Sequence, residues 1–423
     1  MKDQVATNNE APSLYSPYRF AIWGTTWLSY LTYYFGRKGL PIAKTSIAEN
    51  YGSSALSGVD TGYLAAYAVG QYLHGFWGDR VGARWLISLG MVGSAVCCFA
   101  FGASSLAALF FVAFLANGFF QATGWPGNVK AMAEWTTPQN RGSVMGFWAS
   151  CYQVGGIVAT VFATWMMSRW GWRSAFWGPA LVILAVAALV FLVVRSPRSV
   201  STAPASEQRK EERELERSAR RALLRNPRIY AYGVSYFFIK LMRYSLLFWL
   251  PTYLEKALLY DKSTAGYLST SFEVGGVVGT IALGLLSDRL RKLSRAGWAF
   301  GSLMLLPLAL LLYLRIGGLG LGANFVAMAL IGFLLFGPDA ILSGAAAQDA
   351  GGPKAAAIAA GLVNGIGSLG AVLQEVVTKG VSQRYGWDAL FVVFIAFALL
   401  AAVTLLPVLR ERPDSGASLR HQK

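Results

Sequence analysis

Charge is scarce in this chain. Only 14% of its 423 residues are charged, 55% are hydrophobic, and the mean hydropathy is +0.45. That balance excludes an ordinary soluble domain. Cysteine is scarcer still: Cys97, Cys98 and Cys151 lie in apolar runs with no metal or disulfide spacing. They read as small buried hydrophobes. The sequence has no Walker lysine loop, no zinc spacing and no nucleophile paired with a base, so neither an enzyme nor a bound cofactor is expected. Acidic residues are few against basic ones, giving a net charge of +16. Its location argues against nucleic acid. Arg195, Arg198, Arg209, Lys210, Arg213, Arg217, Arg220, Arg221, Arg225 and Arg228 crowd one interval between apolar segments, as in a cytoplasmic loop beside anionic lipid.

What is abundant is apolar sequence in runs of bilayer length. The expected spans are 20–38, 59–77, 85–103, 106–134, 143–168 and 174–194, then 229–254, 264–286, 297–315, 320–348, 355–382 and 388–409. The fold class is therefore an all-α membrane protein of twelve transmembrane helices. Residues 1–194 form one six-helix half, 195–228 a basic linker, and 229–423 the second half. The stretch up to about Pro17 is polar and lacks the basic-then-apolar order of a cleavable signal peptide. Arg80, Arg84, Arg141, the linker, Arg289, Arg291, Lys292, Arg295, Lys354, Arg410 and Arg412 fall in loops on one side. The other side has Lys44, Arg173, Lys256, Lys262 and Arg384, partly balanced by Glu49, Glu255 and Asp261. Both termini are expected in the cytoplasm.

The halves repeat. Gly75-x-x-Gly78-Asp79-Arg80 returns as Gly284-x-x-Ser287-Asp288-Arg289, 209 residues later. Gly146 and Gly155 recur as Gly361 and Gly370, and Gly171-Trp172 as Gly386-Trp387, each 215 residues on. Arg37 and Arg243 differ by 206 and share this relation. A basic residue within a membrane helix marks a substrate or ion path, or snorkels to the headgroups from a helix end. The matched pair favours the first reading: two arginines facing each other across one cavity between pseudo-symmetric halves, the plan of major facilitator transporters.

Around Gly75 to Arg84 the glycines permit a tight turn and close helix approach. Asp79 there can hold basic groups or a helix N-terminus. Asp79, Arg80, Arg84, Lys130, Asp288 and Arg289 are thus read as gating residues, with Lys130 and Glu134 one turn apart as a gate or an intrahelical pair. His74 reads as structural.

Tyr34-Phe35-Gly36-Arg37-Lys38, Gly124-Trp125-Pro126, Lys240-Leu241-Met242-Arg243-Tyr244, Trp249-Leu250-Pro251 and Phe336-Gly337-Pro338 resemble the organophosphate:phosphate antiporters. Asp60 to Ala68 and Asn364-Gly365-Ile366-Gly367-Ser368 are most similar to the animal sugar-phosphate exchangers of that family. The resemblance implies that Arg37 and Arg243 bind phosphate, with Tyr34, Tyr67, Gln71, Trp125, Tyr152, Lys240, Tyr244 and Asn364 lining the substrate cavity. It also implies an acidic residue at Glu273, which with Lys38 forms a candidate charge pair. Gln71 and Tyr152 stand where a glycerol-3-phosphate carrier has a lysine and a histidine. Phe248 stands where that carrier has an acid.

The function expected is exchange of a phosphorylated metabolite for inorganic phosphate by a monomer in a bacterial inner (plasma) membrane. The alternatives are a non-transporting organophosphate sensor and a proton-coupled carboxylate carrier using Glu273.

Overall fold

The computed structural model describes residues 16–56, 58–197, 205–260, 262–290 and 293–409. Among them every regular element is helical. The first span is two helices, Tyr18–Tyr33 and Phe35–Tyr51. They meet at Tyr34, whose amide bonds back three residues to Leu31 at 3.1 Å and tightens the turn. The span therefore continues well beyond the expected end at residue 38, and Arg37 lies within it rather than at its rim. Gly39 permits the extension by lying against the sixth span, where a Cβ would come within 2.7 Å of the Ala175 carbonyl.

The second and third spans are Val59–Val81 and Ala83–Ala103. The fourth joins Ala107–Gln121 to Gly124–Glu134, the fifth joins Arg141–Trp148 to Ser150–Trp170, and the sixth is Ser174–Val193. A strongly amphipathic helix, Ala205–Arg225, precedes the seventh span, Pro227–Lys256. The eighth and ninth are Lys262–Arg289 and Arg295–Ile316. Leu321–Ala340 passes through a π-helical turn, Ile341–Ala346, into Ala347–Tyr385. Gly352 at φ 59° and Ala355 at φ −131° interrupt that last helix and divide the tenth span from the eleventh. Trp387–Val403 and Leu406–Leu409 complete the twelfth.

By length and hydropathy alone, seven helices among the described residues qualify as membrane spans, the joined tenth and eleventh counting as one. The first, second and seventh are not among them and carry the polar residues described below, while Trp387–Val403 of the twelfth is apolar but only 17 residues long. The third, sixth, ninth and twelfth spans form an outer layer and expose residues such as Leu89, Val96, Leu181, Leu192, Leu308 and Val392. In water that surface would aggregate; in a bilayer it is solvated by lipid tails.

The two halves meet through glycine crossings. A Cβ on Gly75 would come within 3.3 Å of Gly361 Cα, and one on Gly146 within 3.0 Å of Gly284 Cα. Lipid tails are as apolar as the helices, so close backbone packing drives association here. Gly75 and Gly284 are repeat equivalents, as are Gly361 and Gly146. The second span therefore crosses the eleventh as the eighth crosses the fifth.

Candidate functional site

Gly36 is the starting point of a polar chain inside the first half. Its carbonyl accepts from Asn117 Nδ2 at 2.8 Å, and Asn117 Oδ1 accepts from Ser94 Oγ at 2.7 Å. Ser94 Oγ in turn accepts from Gln121 Nε2 at 2.7 Å, which aims Gln121 Oε1 at Arg37 Nε, 2.8 Å away. A Cβ at residue 36 would collide with Gln121 and come within 2.8 Å of Ser94 Oγ, so only glycine allows this chain beside the arginine. The guanidinium is held by one edge. Its Nη2 is buried with no hydrogen-bond partner among the described residues. Tyr34, Tyr67 and Tyr30 surround it, with ring centroids 4.8, 5.1 and 5.9 Å from Cζ. Aromatic faces attract the cation without consuming its donors.

The seventh span places two cations one turn apart. Arg243 Nη1 donates to Asp339 Oδ2 at 2.7 Å, and its guanidinium lies over the rings of Tyr244, Tyr152 and Phe336. The Tyr152 hydroxyl donates to the same carboxylate oxygen at 3.3 Å. Lys240 has neutral partners, Asn364 Oδ1 at 2.7 Å and Ser368 Oγ at 2.9 Å. The Tyr67 ring thus stands between Arg37 of one half and Lys240 of the other, 5.8 Å from Lys240 Nζ.

Lys38 and Glu273 feel each other electrostatically across the halves, without a direct hydrogen bond among the described residues. Trp125 packs edge-on against Tyr30 and donates its ring N–H to the Ser343 carbonyl at 3.1 Å, joining the fourth span to the π-helical turn of the tenth. Gln71 is fully buried on the second span, one turn from Tyr67, and neither amide atom has a partner among the described residues.

On the side of the amphipathic linker helix the halves are locked together. Asp79 accepts the Ala357 and Ile358 amides at 3.2 and 3.0 Å, capping the start of the eleventh span, and also accepts from Lys130 at 3.2 Å. Asp288 repeats this from the other half. It accepts the Gly142 and Ser143 amides at 3.0 and 2.5 Å and pairs with Arg295 at 3.0 Å. Asp349 bridges Arg141 and Arg295. Lys130 also pairs with Glu134 at 3.4 Å, so both readings of that residue describe one cluster. Arg80 and Arg289 are exposed, and Arg84 lies over Phe191 within its own half, 4.1 Å from the ring centroid. Tyr34, Arg37, Lys38, Tyr244 and Glu273 remain partly accessible at the centre.

Asp339, Gln121, Ser368 and Asp349 were missed from sequence. Asp339 had a signal, a carboxylate inside an apolar span. It follows directly on Phe336-Gly337-Pro338.

Residues 26–374 match the family model described as the Major Facilitator Superfamily. The putative glycerol-3-phosphate transporter 3 of Arabidopsis thaliana is 31% identical over 444 residues, covering 92% of this chain and 86% of that protein. Sugar phosphate exchanger 3 of Gallus gallus is 31% identical over 397 residues, covering 83% and 77%. Among solved structures, the human organic anion transporter MFSD10 (TETRAN) superposes with a TM-score of 0.72 at 17% identity, covering 92% of this chain and all of that one. The proton:xylose symporter XylE gives 0.71 at 14% identity, covering 94% and 97%. At such identities the structural likeness speaks for the fold alone.

Proposed function

Because the chain belongs to the Major Facilitator Superfamily, and within it to the organophosphate:phosphate antiporters, we propose that it exchanges a phosphorylated small metabolite for inorganic phosphate by alternating access. The observation that carries this is Arg37, whose guanidinium is held by one edge and whose Nη2 has no partner among the described residues. A planar fork of donors suits phosphate oxygens, and it stays charged when desolvated. Arg37, Lys38, Lys240 and Arg243 stand against the carboxylates of Glu273 and Asp339. Basic side chains there outnumber carboxylates four to two, which suits an anion.

A bound anion reaching both Arg37 and the Lys240–Arg243 turn ties the halves together and lowers the barrier to switching. Without it, unneutralised cations oppose the closed intermediate, which favours exchange over net flux. Asp79, Asp288 and Lys130 serve as the gate on the linker side. The basic loops support placing that side and both termini in the cytoplasm of a plasma-type membrane. Both arginines come from one polypeptide, so a monomer suffices.

The test uses purified protein in proteoliposomes without a pH gradient. Labelled phosphate is expected to enter vesicles loaded with phosphate and to be nearly excluded from empty ones. Phosphate binding without flux would identify a sensor. Uptake that follows an imposed pH gradient and ignores internal phosphate would identify a proton-coupled carrier.

A further inference from the structure

Trp125 is 4% exposed, and its ring N–H is already spent on the Ser343 carbonyl of the other half. Indole has that one donor and no acceptor, so nothing is left over for a substrate. The π-helical turn makes the carbonyl available. In a regular α-helix the Ala347 amide would bond to Ser343, four residues back. Here it bonds to Gly344. The Ser343 hydroxyl turns back along its own helix to the Asp339 carbonyl at 2.6 Å.

The contact belongs to a row. One turn along the fourth span, the Val129 carbonyl accepts from Gln348 Nε2 at 3.2 Å, and Lys130 Nζ reaches the Pro353 carbonyl at 3.4 Å. Gln348 is fully buried, and the same Nε2 meets Met145 Sδ of the fifth span at 3.2 Å. Between the first two rungs the fourth span advances from Trp125 to Val129, whereas the tenth advances one residue more, from Ser343 to Gln348. Residues five apart in an α-helix point about 140° away from each other. The i→i+5 bonding of a π-turn brings them closer to one face. The turn at Ile341–Ala346 therefore sets the register of this row.

The row lies between the central cations and the gate. On the fourth span Trp125 precedes Lys130, the partner of Asp79. On the tenth, Ser343 stands between Asp339, which holds Arg243, and Asp349, which bridges Arg141 and Arg295. Trp125 also packs on Tyr30, one of the three rings around Arg37. Its bond joins different halves on the linker side of the centre, so it must part for that side to open. We infer that the Trp125–Ser343 bond is a latch of the linker-closed state, held in register by the π-turn, and that Trp125 is a gating residue instead of a substrate contact. The inference rests on alternating access and is independent of which anion is carried.

The experiment measures how fast a cysteine placed at Ser143 reacts with a polar thiol reagent in purified protein without substrate. The Ser143 amide is part of the linker-side closure, and Cys97, Cys98 and Cys151 are buried. Trp125→Phe keeps an aromatic ring against Tyr30 and removes the N–H. In that background Ser143→Cys is expected to react about threefold to tenfold faster, the population shift that one buried hydrogen bond supports. Gln348→Leu removes the second rung and should raise the rate in the same direction. Cys98, whose thiol lies 3.9 Å from the Gly36 carbonyl inside the first half, should react no faster in either variant. An unchanged rate at Ser143→Cys overturns the latch. So does a parallel rise at Cys98, which marks loosened packing. A loss of phosphate affinity with an unchanged labelling rate also overturns it and returns Trp125 to the substrate site. Should Trp125→Phe fail to fold, Gln348→Leu decides by the same rate. Labelling needs no transport, so the latch is tested separately from phosphate exchange.

Discussion

The Asp79 carboxylate on the second span accepts the Ile358 amide of the eleventh at 3.0 Å, across the boundary between the halves. The eleventh span starts there because Gly352, at φ 59°, and Pro353 end the tenth, leaving amides that need an acceptor. A negative charge at a helix N-terminus also meets the positive end of its dipole. Asp288 makes the equivalent contact with Gly142 and Ser143. Closure of the linker side is thus built twice, once per repeat.

Asp79→Asn should therefore weaken the linker-closed state while leaving the substrate cavity intact. The expected result is an exchange rate about tenfold lower, with equilibrium phosphate affinity changed by less than about threefold. Asp288→Asn should act in the same direction. Binding and exchange measured on the same purified variant separate the two effects. A large loss of affinity with normal turnover would place Asp79 in the substrate site.

Gly361 supports the same closure sterically. A Cβ there would come within 2.5 Å of the Gln71 carbonyl and 2.9 Å of Gly75 Cα. Gly361→Ala should hold the second and eleventh spans apart and stop the linker side from closing. A cysteine placed at Ser143 should then react with a polar thiol reagent from that side more readily than in the parent protein. Unchanged labelling together with normal exchange would show that the crossing does not tighten during the cycle.

Gln71 and Tyr152 should influence the organic group more than the phosphate. Gln71 has no partner among the described residues, and Tyr152 donates to Asp339 at 3.3 Å. Gln71→Ala and Tyr152→Phe should each shift the rank order of competing organic phosphates by more than they slow phosphate self-exchange. Self-exchange that collapses with an unchanged rank order would assign both residues to the anion itself.

The sequence made the architecture legible because bilayer-length apolar runs and repeated glycine motifs are written locally. Arg37 and Arg243 stood out as charges where charge is costly, and Asp79 as a carboxylate on a glycine turn. Their partners did not. Gln121 is an uncharged residue at the end of an apolar run, and its role depends on Ser94 and Asn117 from other positions in the fold. The π-helical turn at Ile341–Ala346 and the break between Gln121 and Gly124 leave no trace in hydropathy, since both flanks are apolar. Asp339 was legible in principle, but its pairing with Arg243 joins residues 96 apart. For the gate, Asp79 and Asp288 could be read from the repeat and Lys130 from its charge within an apolar span, whereas Arg295, which meets Asp288, was not singled out.

The central claim is that Arg37 receives the phosphate through an open planar fork, and Arg37→Lys tests it most directly. Lysine keeps the charge but offers a single point of donors, and it cannot hold Gln121 while presenting a fork to phosphate. Phosphate self-exchange in loaded proteoliposomes should fall about a hundredfold or more, close to the loss in Arg37→Ala. Near-normal exchange by Arg37→Lys, with Arg37→Ala inactive, would show that charge alone suffices and would contradict the proposed geometry.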